Sequence, residues 1–167
     1  DLYEVYGAIC ERKLILLKTV KGSNNTSTTI KKLNGKKLDL KKNYKFYIIA
    51  FREKDGKKVQ IGNSLHIHIA GRKSSDTANI KGIRVKNKSY TLKKGKTARI
   101  KAKLVLADKK KKALSEKHGP RFRYASSNKA VATVTKGGKI KARKPGKCTV
   151  YVYAINGCSK KIRVNVR

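Results

Sequence analysis

The chain has 167 residues, 45 of them Lys or Arg and 9 Asp or Glu, for a formal net charge of +36, with 3 Cys, 8 Tyr and neither Trp nor Met. That length suits one large domain or two of about 80 to 100 residues, each able to bury a modest core. No apolar run approaches the roughly 18 residues of a membrane span, and without Met the sequence reads as a processed or partial product, with any signal peptide outside it.

In chain order, apolar residues recur at every second position. Tyr3/Val5, Phe46/Ile48/Ala50, Leu65/Ile67/Ile69, Ile83/Val85, Val150/Val152/Ala154 and Ile162/Val164/Val166 each fall on one face of a predicted strand. Turn signals separate them: Gly22-Ser23-Asn24-Asn25, Asn34-Gly35, Asp55-Gly56, Gly137-Gly138 and Asn156-Gly157. Many short alternating strands with Gly and Asn turns predict an all-β chain of sandwiches or barrels. The one predicted helix covers residues 113–118, inside a basic insertion. The polar stretch 71–78, rich in small residues, marks a boundary near residue 76 and two modules, 1–76 and 77–167.

The charge follows that division. Residues 1–76 hold 17 basic and 7 acidic side chains, whereas 77–167 hold 28 basic ones against Asp108 and Glu116 alone. Lys outnumbers Arg 35 to 10, which favours a solvated basic surface over bidentate phosphate clamps. Such a field attracts polyanions at low salt.

The last two predicted strands, 147–154 and 159–166, form a hairpin whose parity is testable. A two-residue Asn156-Gly157 turn would set inward Val152 against outward Lys161. A three-residue loop, Asn156-Gly157-Cys158, instead sets Val152 opposite Ile162, Val150 opposite Val164 and Cys148 opposite Val166. It also sets Tyr153 opposite Lys161 and Tyr151 opposite Arg163 on the outward face. Cys148 and Cys158 then stand at opposite ends of the hairpin, beyond disulfide reach, so three thiols are expected.

Residues 79–167 resemble the bacterial immunoglobulin-like group 2 domain. IKGIRVKNKSYTLKKGKTARIKAKL is similar to its first two strands, with the turn at Leu92 to Gly95. YASSNKAVATVTKGGKIKARKPGKCTVYVYA is similar to its most specific stretch: Tyr124 stands where the family usually has Trp, followed by Val131-Ala132-Thr133-Val134, Gly138, Ile140, Ala142 and Gly146. The departure is the inserted segment 108–121.

Residues 3–70 resemble part of a fibronectin type III module. YEVYGA is similar to its third strand, KLILLKTVKG to the next, TSTTIKKL to the fifth, LDLKKNYKFYIIA to the strand bearing a tyrosine corner at Leu38 and Tyr44, and KVQIGNSLHIHIA to the last. The first two strands have no counterpart after Asp1. The resemblances together imply two immunoglobulin-like β-sandwich modules in tandem, the first lacking its first two strands. Tyr3, Val5, Phe46, Ile48, Leu65 and Ile67 would then lose cover, a situation seldom left open on a soluble monomer. Three covers are expected alternatives: self-association with a neighbouring copy, strands lent from an upstream or partner chain, or repacking against the second module.

Both families imply a non-enzymatic role as a spacer, stalk or adhesion segment of secreted or cell-surface bacterial proteins. The residues agree, since the carboxylates are scattered and there is no nucleophile elbow, phosphate loop or paired-Cys zinc signature. No cofactor is implied. His66 and His68 share one face of a strand and are expected to face solvent; they lack a third ligand nearby, so no metal site is assigned. The candidate anion contacts are Lys109, Lys110, Lys111, Lys112, Lys117, Arg121 and Arg123, and the candidate stacking residues are Tyr151 and Tyr153. The expected partners are cell-wall polymer, a glycan or another surface protein, with nucleic acid bound only nonspecifically. A polyanion-binding protein using its whole basic surface is the competing reading.

Overall fold

The computed structural model describes residues 1–115 and 119–167, and it is all-β, with no helix among the described residues. None of it therefore is a helix long and apolar enough to cross a membrane. The chain divides into two compact units, Asp1–Thr77 and Ala78–Arg167.

The first unit is built on one antiparallel sheet. Its strands are β1 (Leu2–Ile9), β2 (Ile15–Lys21), β3 (Lys32–Leu33), β4 (Lys36–Lys37), β5 (Tyr44–Lys54), β6 (Lys57–Asn63) and β7 (Ile67–Ile69). The sheet runs in the order β2-β1-β5-β6, with β7 also paired to β5. Tyr3 pairs with Ala50, Val5 with Ile48 and Gly7 with Phe46, so these residues share one face. At Gly7 a Cβ would meet the Leu17 side chain at 2.5 Å and the Phe46 ring at 2.9 Å, so a larger residue there must displace them.

At Tyr44, one of the two positions where the resemblance sets a corner, the side chain bonds back to the backbone five residues upstream. The Tyr44 hydroxyl accepts from the Asp39 amide at 2.8 Å and donates to the Asp39 carbonyl at 3.2 Å. The strand expected over 26–33 fails in this unit. Residues 26–31 form no strand, and what the sequence marked as a strand over 26–33 contributes only the two residues of β3, which close on β4 across Asn34-Gly35. Both turn residues have positive φ, 52° and 74°, which Asn and Gly tolerate.

A two-residue strand, β8 (Thr77–Ala78), spans the division between the units. The second unit then runs through β9 (Ile80–Val85), β10 (Ser89–Leu92), β11 (Thr97–Arg99), β12 (Ala102–Leu106), β13 (Lys112–Ala113), β14 (Phe122–Ser126), β15 (Ala132–Val134), β16 (Lys139–Ala142), β17 (Gly146–Ala154) and β18 (Ser159–Val166). One sheet has the order β10-β18-β17-β14, with β10 parallel to β18; β11-β16-β15 and β12-β9 form two others. Their inward residues, among them Ile80, Ile83, Ile140, Val150, Val152, Ile162 and Val164, make one buried core. Fully burying side chains of this kind contributes about 1.5–3 kcal/mol each.

The hairpin β17–β18 keeps the predicted inward set but not the predicted register. Val150 lies opposite Ile162, Val152 opposite Lys160 and Tyr153 opposite Ser159, two residues short of the expected pairing. The Ala154 amide donates to the Cys158 carbonyl at 2.8 Å, so the three-residue loop is Ile155-Asn156-Gly157. The cause is Ile155, 3% exposed and part of the core, together with Asn156, whose side-chain amide donates to the Ile80 carbonyl at 2.8 Å. Burying Ile155 draws the loop one residue toward β17. The predicted helix also fails where it is described: Ala113 ends β13, residues 114 and 115 are irregular, and 116–118 lie outside the described residues.

Candidate functional site

The two faces of the β14–β17–β18 sheet differ in character, because inward positions are mostly apolar, Ser126 and Lys160 excepted, and outward ones carry hydroxyls, rings and cations. On the outward face Arg123 pairs with Tyr153, which pairs with Ser159; Ala125 pairs with Tyr151, which pairs with Lys161. The Tyr151 and Tyr153 rings stack at 5.9 Å with an interplanar angle of 16°. Lys161 Nζ stands 5.9 Å from the Tyr151 ring centroid, a cation–π distance. Burial lowers the pKa of the Arg123 guanidinium below its ordinary value.

The same face continues beyond Tyr151 into a row that pairs Thr149 with Arg163 and Arg163 with Ser89, followed by Lys147, Asn165 and Thr91. These side chains border an open depression of about 600 Å³. Two cations, Lys147 and Arg163, stand there among hydroxyl and amide groups, a combination that can hydrogen-bond anionic groups. The depression was not singled out from the sequence. The signal was the outward alternation of Ser89/Thr91, Lys147/Thr149 and Arg163/Asn165, which gains meaning only when β10 is known to lie beside β18.

The remaining candidates are dispersed. Lys109 and Lys110 lie in a turn in which Asp108 Oδ1 accepts from the Lys110 amide at 2.9 Å, and Lys111 Nζ is 3.9 Å from Asp108 Oδ2. Lys112 belongs to β13. Arg121 lies 5.9 Å from the Phe122 ring. Lys117 lies outside the described residues, as do Glu116 and His118. Of the charged candidates among the described residues, Arg123 alone sits in a ladder position beside the stacked tyrosines, and the expected pairing of Tyr151 with Arg163 is replaced by Lys161.

His66 and His68 do not both face solvent. His66 is exposed and stacks on Tyr47 at 4.5 Å, whereas His68 is fully buried in its register opposite Lys45. The sequence rule assumed that the face of β7 opposite Ile67 and Ile69 is the wet one. In this unit Ile69 is 40% exposed and His68 is not, so polarity and exposure are exchanged. No group of three His, Cys, Asp or Glu side chains able to hold a metal ion occurs among the described residues. No disulfide joins Cys10, Cys148 and Cys158.

Comparison with curated protein sequences finds no match. Among solved structures, the S-layer protein rSbsC(31-844) is 17% identical with a TM-score of 0.44, covering 75% of this chain and 16% of that one. The S-layer protein SbsC domains 4 and 5 are 16% identical with a TM-score of 0.44, covering 74% of this chain and 64% of that one. Protocadherin gamma B7 extracellular cadherin domains 1-4 are 16% identical with a TM-score of 0.40, covering 99% of this chain and 40% of that one. The chain thus spans less than two thirds of the length of each. Residues 79–164 match the bacterial Ig-like domain (group 2), which accounts for β9 through most of β18 and leaves the resemblance of residues 3–70 to fibronectin type III outside the match. That match extends over more than half of the sequence, and the chain belongs to the bacterial Ig-like domain (group 2) family.

Proposed function

We propose that the chain is a non-catalytic structural or adhesive segment of a bacterial surface protein, and that it makes contact through the outward face of β14, β17 and β18. The observation that carries this reading is the strip Arg123, Tyr153, Tyr151 and Lys161, laid on a sheet whose other side is the buried core. A core on one side fixes the ring positions, so the tyrosines meet a partner without first being ordered. Stacked rings beside cations suit a sugar or an anionic wall polymer, with ring faces against the sugar and cations against its phosphate or carboxylate groups. The first unit is read as a partial fibronectin type III-like module, supported by the Tyr44 corner and the strand order.

The test is binding of the whole chain to immobilised polyglycerol phosphate and to heparin at about 0.15 M salt. A Tyr151→Ala, Tyr153→Ala variant with an unchanged melting temperature is expected to lose most of the affinity. Unchanged affinity would remove the face from the account.

A second reading rests on the excess of 45 basic over 9 acidic side chains: a polyanion binder acting through its whole surface. It requires equal binding to duplex DNA, anionic glycan and wall polymer, with a steep loss on raising salt and no dependence on Tyr151 or Tyr153.

A further inference from the structure

Among the described residues, the seven large hydrophobic ones that are strongly exposed all belong to the first unit: Leu16, Leu40, Ile48, Val59, Ile61, Leu65 and Ile69, at 39–49%. Of these, Ile48 lines an apolar trough of about 490 Å³ together with Tyr3, Val5, Val20 and Ala50. Residues 25–28 form part of its wall. Residues 27–30 belong to no strand and pair with none of the described strands, yet their exposure alternates, with Thr28 and Ile30 half-buried and Ser27 and Thr29 exposed. The Thr28 hydroxyl is buried in this wall with no hydrogen-bond partner. A segment without ladder pairing, an orphaned hydroxyl and an apolar floor coincide at one place.

We propose that this trough accepts an extended polypeptide strand from a partner protein, with apolar side chains at alternate positions and acidic ones between them. Main-chain groups of residues 27–30 supply ladder hydrogen bonds, and Val5, Ile48 and Ala50 receive the apolar side chains. The acidic partner follows from charge. Trough residues are themselves uncharged, but Lys18 lies opposite Val5 in the ladder, Lys31 follows Ile30, and the whole chain carries +36. The same charge opposes a second copy of this chain as the occupant. The inference is independent of the contact face in the second unit.

The probe is a labelled synthetic peptide of about eight residues alternating valine and glutamate, and its control has the same composition with the valines and glutamates in separate blocks. Both are titrated into the whole chain at physiological salt. Binding of the alternating peptide at least about tenfold tighter than the control, and weakened at least about tenfold by Ile48→Lys, supports the proposal. If Ile48→Lys unfolds the first unit, Ile48→Ser takes its place. Equal binding of the two peptides, or indifference to both Ile48 substitutions, overturns it. So does a concentration-dependent dimer in sedimentation that the Ile48 substitutions abolish, because the trough would then hold a second copy.

Discussion

The Tyr44 ring reaches back across five residues so that its hydroxyl holds both the amide and the carbonyl of Asp39, at 2.8 and 3.2 Å. Tyr44 is itself 7% exposed. Tyr44→Phe keeps the ring and removes the hydroxyl. Asp39 is exposed, so water can replace the hydroxyl, and the variant is expected to lower the stability of the first unit by about 0.5–1.5 kcal/mol, the net worth of such a hydrogen bond. Denaturant unfolding followed by hydrogen exchange in each unit checks this, with the second unit unchanged.

In the second unit Tyr124 leans on Gly138. Gly138 has a φ of +75°, and a Cβ there would stand 2.8 Å from Tyr124 Cζ. Its neighbour Gly137 has open space, with the nearest atom at 3.8 Å. Gly138→Ala is expected to destabilise the unit by about 1–2 kcal/mol from the left-handed backbone alone, with displacement of the ring in addition. Gly137→Ala should change stability much less, and thermal unfolding of the two variants compares them directly.

Asn156 secures the loop of the last hairpin by donating to the Ile80 carbonyl and accepting from the Cys158 amide, at 2.8 and 3.3 Å. Asn156→Ala leaves both groups to find other partners and is expected to cost about 1–3 kcal/mol. Loss of protection at the Cys158 amide in hydrogen exchange should accompany it.

The pH dependence of the first unit has a named source. Glu4 accepts hydrogen bonds from the Lys58 ammonium and, at 2.6 Å, from the Tyr6 hydroxyl, and these hold its carboxyl below the ordinary value of 4.5. A lowered carboxylate contributes stability that is present above its unfolded pKa and is lost as pH falls through the folded value. The bond to Glu4 raises the Tyr6 phenol above 10.0, so its contribution is present below that pH and fades at more alkaline values. Glu4→Gln is expected to flatten the stability profile below pH 4.5 and above pH 10.0, relative to the parent chain.

Alternation along β17 and β18 was enough to identify Val150, Val152, Ile162 and Val164 as core, and all four are 0–1% exposed. Parity is preserved by a slip of two residues, so it could not choose between pairing Val152 with Ile162 and with Lys160. That choice rests on Ile155 and Asn156 reaching Ile80, a contact far away in sequence. The contact face was half legible: Tyr151 and Tyr153 follow from local alternation, while the placement of Arg123 beside Tyr153 depends on the nonlocal pairing of β14 with β17. His68 and residues 26–31 were misread for a common reason. Alternation identifies two faces and an extended backbone, but exposure and ladder pairing are decided by what lies against them.

Binding of the whole chain to polyglycerol phosphate, measured at fixed salt for the parent, for Tyr151→Ala with Tyr153→Ala, and for Lys110→Gln with Lys111→Gln, tests the central claim most directly. Stacking on an aromatic ring is worth about 1–3 kcal/mol, so the tyrosine variant should bind at least about tenfold more weakly while the lysine variant stays within a few fold of the parent. Equal affinity of the parent and the tyrosine variant, with the larger loss in the lysine variant, would contradict the account.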